Sequence, residues 1–136
     1  HWMCMVTRIF RKEMDMIKID NEKTIEINRG DKANINLTAN DGKYQFEVGD
    51  IIKLRIYNKN GYNQNTLLEK ESIVSNQNNN VVIELNETDT EFVPKTDKKI
   101  VYWYDISLNE STTIIGYDEN GPKKFIIYPA KIGGEA

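Results

Sequence analysis

The stretch Ile100-Val101-Tyr102-Trp103-Tyr104-Asp105-Ile106-Ser107-Leu108 limits what this chain can fold into more than any other. Ile100, Tyr102, Tyr104, Ile106 and Leu108 alternate with Asp105 and Ser107, and only Val101 and Trp103 break the pattern. Successive side chains of a strand point to opposite faces, so this reads as a strand with one buried face. Burying each large apolar side chain contributes roughly 1.5–3 kcal/mol, and five together predict the central strand. Val101 and Trp103 then fall on the face expected to be polar. Two readings stand side by side. Either they form an apolar contact patch for another protein, or the segment Asn86 to Asp97 covers them through Phe92 or Val93.

The rest of the chain repeats the strand pattern in short pieces. Thr24 to Asn28 and Ala33 to Ala39 alternate around an Arg29-Gly30-Asp31 turn. Asp41-Gly42 is a hairpin signal, because glycine tolerates positive φ. Ile51 to Tyr57 points Ile52, Leu54 and Ile56 inward and Lys53 and Arg55 outward. Leu67 to Val74 is interrupted by Lys70 on whichever face is chosen, which suggests a bulge. Asn76 to Asn80 is a polar loop and Val81 to Leu85, with Ile83 inward, a further strand. Thr88 to Phe92 carries the one helical hint, a single turn ahead of Pro94. Thr112 to Tyr117, an Asp118–Gly121 turn, and Lys123 to Tyr128 with Phe125 and Ile127 on one face complete the series.

Evenly spaced strands without intervening helices predict an all-β chain, an immunoglobulin-like antiparallel β-sandwich in a single domain. Its predicted core holds Ile52, Leu54, Ile56, Ile83, Tyr102, Tyr104, Ile106, Phe125 and Ile127. At 136 residues the chain is long enough for one such core without disulfides or metals. A lone cysteine, Cys4, builds no disulfide framework.

Residues 1–15 fit this pattern poorly. Trp2, three methionines, Cys4 and basic residues follow one another without a steady period. The segment reads as a non-native leader or a flexible, amphipathic N-terminal piece. Arg11-Lys12-Glu13 matches a purine-rich codon run like a bacterial ribosome-binding site, and Met16 follows it as the expected start. The β-sandwich domain is accordingly expected over residues 16–130, with 131–136 as a tail. No apolar h-region and cleavage site of a signal peptide is recognised.

Charge and residue chemistry narrow the function. The net charge is −3 with both signs interspersed, so no basic footprint for nucleic acid is present. Lys98-Lys99 and Lys123-Lys124 read as strand-end lysines that serve solubility. The only histidine is His1, which leaves neither a nucleophile–histidine pair nor a zinc set. A carboxylate pair for glycoside hydrolysis stays open, since carboxylate separation is invisible in sequence. Asp118-x-Asn120-Gly121 resembles the opening of a calcium loop but lacks the bidentate glutamate. Arg29-Gly30-Asp31 spells an adhesion tripeptide, yet a strand follows at once, as for a tight turn. The residues therefore predict no catalytic site, no cofactor and no metal.

The order of the pieces resembles one known family, the immunoglobulin-like N-terminal domain of the phage baseplate upper protein in phages and prophages of Gram-positive bacteria. The residues that carry the resemblance begin with Ile27-Asn28-Arg29-Gly30-Asp31 and with Val48-Gly49-Asp50 leading into Ile52-Lys53-Leu54. They continue through Thr90-Glu91-Phe92 and Tyr102 to Leu108, and close at Lys124 to Pro129. They cover about residues 17–129. The resemblance implies a non-enzymatic virion structural protein, docking to copies of itself or to neighbouring tail proteins, in the virion or in the bacterial cytoplasm during assembly. Neither nucleic acid nor membrane is an expected partner. Val101 and Trp103 are the candidate interface. The alternatives are a carbohydrate-binding β-sandwich, with Tyr44, Tyr57, Tyr62, Trp103 and Tyr117 as a stacking platform, and another β-sandwich adaptor.

Overall fold

In a computed structural model the chain folds into two β-sheets packed face to face. The structure describes residues 2–10, 13–18, 23–39, 45–58, 65–78 and 80–130. Ten strands follow in order: β1 (Trp2–Phe10), β2 (Glu13–Lys18), β3 (Ile25–Asn28), β4 (Lys32–Ala39), β5 (Ile51–Tyr57), β6 (Thr66–Ile73), β7 (Asn80–Leu85), β8 (Ile100–Leu108), β9 (Thr112–Ile115) and β10 (Lys123–Tyr128). No helix occurs among the described residues, so the chain is all-β. One sheet has the order β2-β1-β4-β7 and the other β3-β10-β8-β5-β6, with β9 also paired to β8.

β8 is the central strand of the larger sheet. Its first half pairs with β10 and its last three residues with β9 on one side, while β5 runs along the other. The pairings are antiparallel except that of β3 with β10, which is parallel and sets Ile25 beside Phe125 and Ile27 beside Ile127. Alternation fills the space between the sheets. Ala33, Ile35, Leu37, Val81, Ile83 and Leu85 come from the smaller sheet. Ile25, Ile27, Ile52, Leu54, Ile56, Tyr102, Tyr104, Ile106, Phe125 and Ile127 come from the larger one.

The turns follow from local chemistry. Gly30 and Gly49 have φ of 87° and 94°, the left-handed region that glycine enters without a Cβ penalty. The Gly49 turn is pinned by Gly49 N donating to Val74 O at 2.8 Å and Val74 N to Asp50 O at 2.9 Å. Arg29-Gly30-Asp31 does not protrude as an adhesion loop would. Gly30 N donates to Thr90 Oγ1 at 2.8 Å, and Arg29 Nε donates to Val93 O at 3.0 Å. The helical hint over Thr88–Phe92 resolves into successive tight turns, with Asn86 Oδ1 accepting from Thr88 N at 3.0 Å.

Several details differ from the sequence reading. The irregularity near Lys70 is a register shift: Ile56 faces Leu68 but Tyr57 faces Thr66, which leaves Leu67 unmatched. Lys70 shares the inward face of β6 with Leu68, and its Nζ lies 3.0 Å from Asp89 Oδ2 in the turns that follow β7. Lys123 is no solubility lysine. It shares the inward face with Phe125 and is buried, and its ammonium donates to Asp118 Oδ1 at 2.7 Å and Gly121 O at 2.8 Å. That ion pair also commits the carboxylate that the calcium reading needed. Finally, the backbone of residues 2–10 runs antiparallel to β4, with Val6 opposite Ile35, and β2 folds back on it. Ladder hydrogen bonds are made by the main chain, so this pairing needs no steady side-chain period. Met16, the expected start of the domain, lies inside β2.

Candidate functional site

The outer face of the larger sheet carries the side chains that the core does not use. Cross-strand pairing arranges them in rows. Glu71, Lys53 and Ser107 form one row, and Glu69, Arg55 and Asp105 the next. Tyr57, Trp103 and Lys124 form the third, then Val101 and Ile126 the fourth. Leu67 flanks the third row beside the register shift. An aromatic and aliphatic band therefore crosses four strands beside a charged one.

The charged rows are tied together by the β8–β9 turn. Asn109 and Glu110 both have positive φ, 52° and 60°, and Ser111 N donates to Leu108 O at 3.2 Å to close a tight turn. Asn109 Oδ1 accepts from Ile51 N at 2.8 Å, which fixes the turn over the start of β5. Glu110 Oε1 then reaches Lys53 Nζ at 3.1 Å and Arg55 Nη2 at 2.6 Å. Lys53 Nζ also lies 3.3 Å from Glu71 and 3.7 Å from Glu69. The hydrogen bond from Lys53 and that from Arg55 hold the Glu110 carboxyl below its ordinary range.

Asp105 behaves in the opposite way. Gly116 follows β9 beside it, so close that a Cβ there would stand 3.4 Å from Asp105 Cβ and 2.7 Å from Thr113 Cγ2. Desolvation raises the Asp105 pKa, partly offset by the hydrogen bond from Tyr57 and by the Arg55 cation. Its Oδ2 accepts from the Tyr57 hydroxyl at 3.1 Å, while Oδ1 and the Ser107 hydroxyl are buried without a hydrogen-bond partner among the described residues. Burial and the neighbouring carboxylate push the Tyr57 hydroxyl up to about 12. A raised acid pKa means that the folded state holds the proton more tightly than the unfolded chain. Stability from this group is therefore highest at low pH and falls as pH rises through the folded pKa. Asp105→Asn should remove that loss, so the melting temperature of the variant relative to the parent climbs between about pH 4 and neutrality. A constant difference across that range would contradict the assignment.

Val101 and Trp103, the two residues singled out from sequence, lie on this face and are half-buried. The segment Asn86–Asp97 is not what packs on them through Phe92 or Val93. Phe92 stacks edge-on against Tyr102, centroids 5.3 Å apart at 69°, and Val93 is buried in the core. Both serve the inward face. Tyr57 is only 4 % exposed and offers no ring for stacking a sugar, whereas Tyr117 is 63 % exposed. Tyr44 and Tyr62 lie outside the described residues. Tyr57, Ile126 and Leu67 join the band without having been read from sequence as part of it. Their outward parity was visible, but their adjacency to Trp103 depends on strand order.

A second feature lies where β6 and β7 end the two sheets. Two adjoining cavities of about 460 and 490 Å³ share Asn34, Ser72, Val82 and Glu84, and their walls add Asn76, Asn78, Asn80 and Asn86. Among the described residues no group of three or more histidine, cysteine, aspartate or glutamate side chains is placed to hold a metal ion. No helix there is long and apolar enough to cross a membrane. No protein-family model, no curated protein and no solved structure matches the chain.

Proposed function

We propose that this chain is a non-enzymatic docking module of a phage or prophage tail assembly of the baseplate type, and that it binds through the outer face of its larger sheet. The observation that carries the reading is half-buried Val101 and Trp103 with exposed Leu67, flanked by buried Tyr57 and Ile126, across four strands on a face that a solitary sandwich would leave polar. Tryptophan held in place by packing is the residue type most often found as an interface anchor. The order of motifs resembling the baseplate upper protein supports the tail context, and the parallel β3–β10 pair agrees with an immunoglobulin-like arrangement. Partners are further copies or neighbouring tail proteins, in the virion or in the cytoplasm during assembly. Trp103→Ser tests it. The variant should keep its fold, with a melting temperature within a few degrees of the parent, and lose partner capture in a pull-down against the co-expressed tail proteins. Unfolding would place Trp103 in the core instead.

The polar trough between β6 and β7 favours a second reading, a carbohydrate-binding module. Asparagine side chains both donate and accept hydrogen bonds, as vicinal hydroxyls require. Reproducible hits on a glycan array, abolished by Asn34→Ala and not by Trp103→Ser, would select it over the docking reading.

A further inference from the structure

The docking face has a symmetry of its own along β8. Trp103 stands midway between Lys99 and Ser107, four residues from each (103 − 99 and 107 − 103). At 3.3–3.4 Å per strand residue each lies roughly 13 Å away. The Ser107 end is acidic, with Glu69, Glu71 and Glu110 around Lys53 and Arg55, and Asp105 as a fourth carboxylate. The Ser107 hydroxyl, in a residue only 7 % exposed, is left there without a partner among the described residues. The Lys99 end carries Lys95, Lys98 and Lys99, all exposed, against Asp97 and against Glu26, which lies in the Val101 row and already accepts from the Tyr128 hydroxyl at 2.6 Å. Between the two ends lies the apolar band.

A face that is acidic at one end, basic at the other and apolar at the middle is complementary to itself when turned end for end. We propose that two copies of this chain associate face to face about a two-fold axis level with Trp103, the Lys99 end of each against the Glu71–Glu110 end of the other. This rests on the reading of the outer face as a docking surface and names its occupant. The contact is isologous, so each charge pairing occurs twice. Sheets that stack in this way sit about 10 Å apart, close enough for the two Trp103 side chains to meet. Lys124, in the Trp103 row, is the group that the axis sets against its own copy. Pairing by the free edge of β6 is disfavoured. Its edge carries the register shift and the inward Lys70, and a two-fold copy centred on Lys70 would put Glu69 opposite Glu71.

Sedimentation equilibrium of the intact chain tests this. A monomer–dimer equilibrium is expected that weakens with added salt, because the complementarity is electrostatic. Lys99→Glu and Trp103→Ser should each weaken dimerisation at least tenfold, and Lys124→Ala should strengthen it. Mixing Lys99→Glu with Glu71→Lys should restore a heterodimer, since both inter-copy contacts are then between opposite charges. Lys99→Glu alters an exposed side chain, so it carries the test even if Glu71→Lys fails to fold. A wild-type chain that stays monomeric at every concentration, or a dimer indifferent to Lys99→Glu and salt, overturns the proposal. A monomer in which Trp103→Ser still abolishes partner capture overturns this inference while leaving the docking reading standing.

Discussion

Tyr104→Ala is expected to lower stability by about 3–5 kcal/mol, the range for removing a large core aromatic. Tyr104 is fully buried at the middle of the central strand. Its ring meets Phe125 edge-on, centroids 5.9 Å apart at 83°, and its hydroxyl donates to the Lys23 carbonyl at 2.6 Å. The truncation opens a cavity between the sheets and also leaves that carbonyl without its donor. Chemical denaturation should show the loss as a lower midpoint at an unchanged slope. Tyr104→Phe separates the two contributions, because it keeps the ring and removes only the hydrogen bond, for about 0.5–1.5 kcal/mol. A loss below about 1 kcal/mol for the alanine variant would mean that β8 presents its other face to the core.

Phe46→Ala should be comparably severe, again about 3–5 kcal/mol. Phe46 belongs to none of the ten strands, yet it is fully buried and joins the core. A single bridge holds its backbone in place, Phe46 N donating to Asn78 O at 2.7 Å and Asn78 N to Phe46 O at 3.3 Å. The side chain closes the end of the sandwich where the Gly49 turn and the Asn76–Asn78 loop meet. Its removal should therefore loosen that end first. Hydrogen exchange is expected to quicken at Gly49 and Val74, whose amides bond across the same end. Uniform acceleration through β8 and β10 as well would show that the end does not open separately. Phe46→Leu, which keeps most of the apolar volume, should retain more than half of the stability lost by alanine.

These two positions show how differently core residues can be read. Tyr104 announces itself, because a nine-residue alternation fixes its parity and the parity fixes its face. Phe46 sits between Gln45 and Glu47 with no alternating run around it, and its burial comes from Asn78, thirty-two residues later (78 − 46). The candidate site divides in the same way. Trp103 and Val101 stood out as apolar residues at polar parity. Glu110 did not, because it lies in a turn, and only the hairpin brings it to Lys53 and Arg55, which precede it by fifty-seven and fifty-five residues. Lys53 reads as a solvent-facing lysine, yet it is almost fully buried, because three carboxylates and the flanking strands close around it.

What the sequence determined by itself is local. It set the all-β class, the central place of Ile100–Leu108, the inward face of β5, β8 and β10, and the tight turn at Gly30. Each is a matter of side-chain parity or backbone freedom within a few residues. Only the tertiary structure decided which strands are neighbours, and neighbours decide the environment of every polar group. It sent Lys123 inward to Asp118, brought Gly116 against Asp105, set Tyr57 beside Trp103 and ran residues 2–10 along β4. Parity says which way a side chain points. The burial of a charge depends on what arrives from elsewhere in the chain to neutralise or cover it, and no local pattern encodes that arrival.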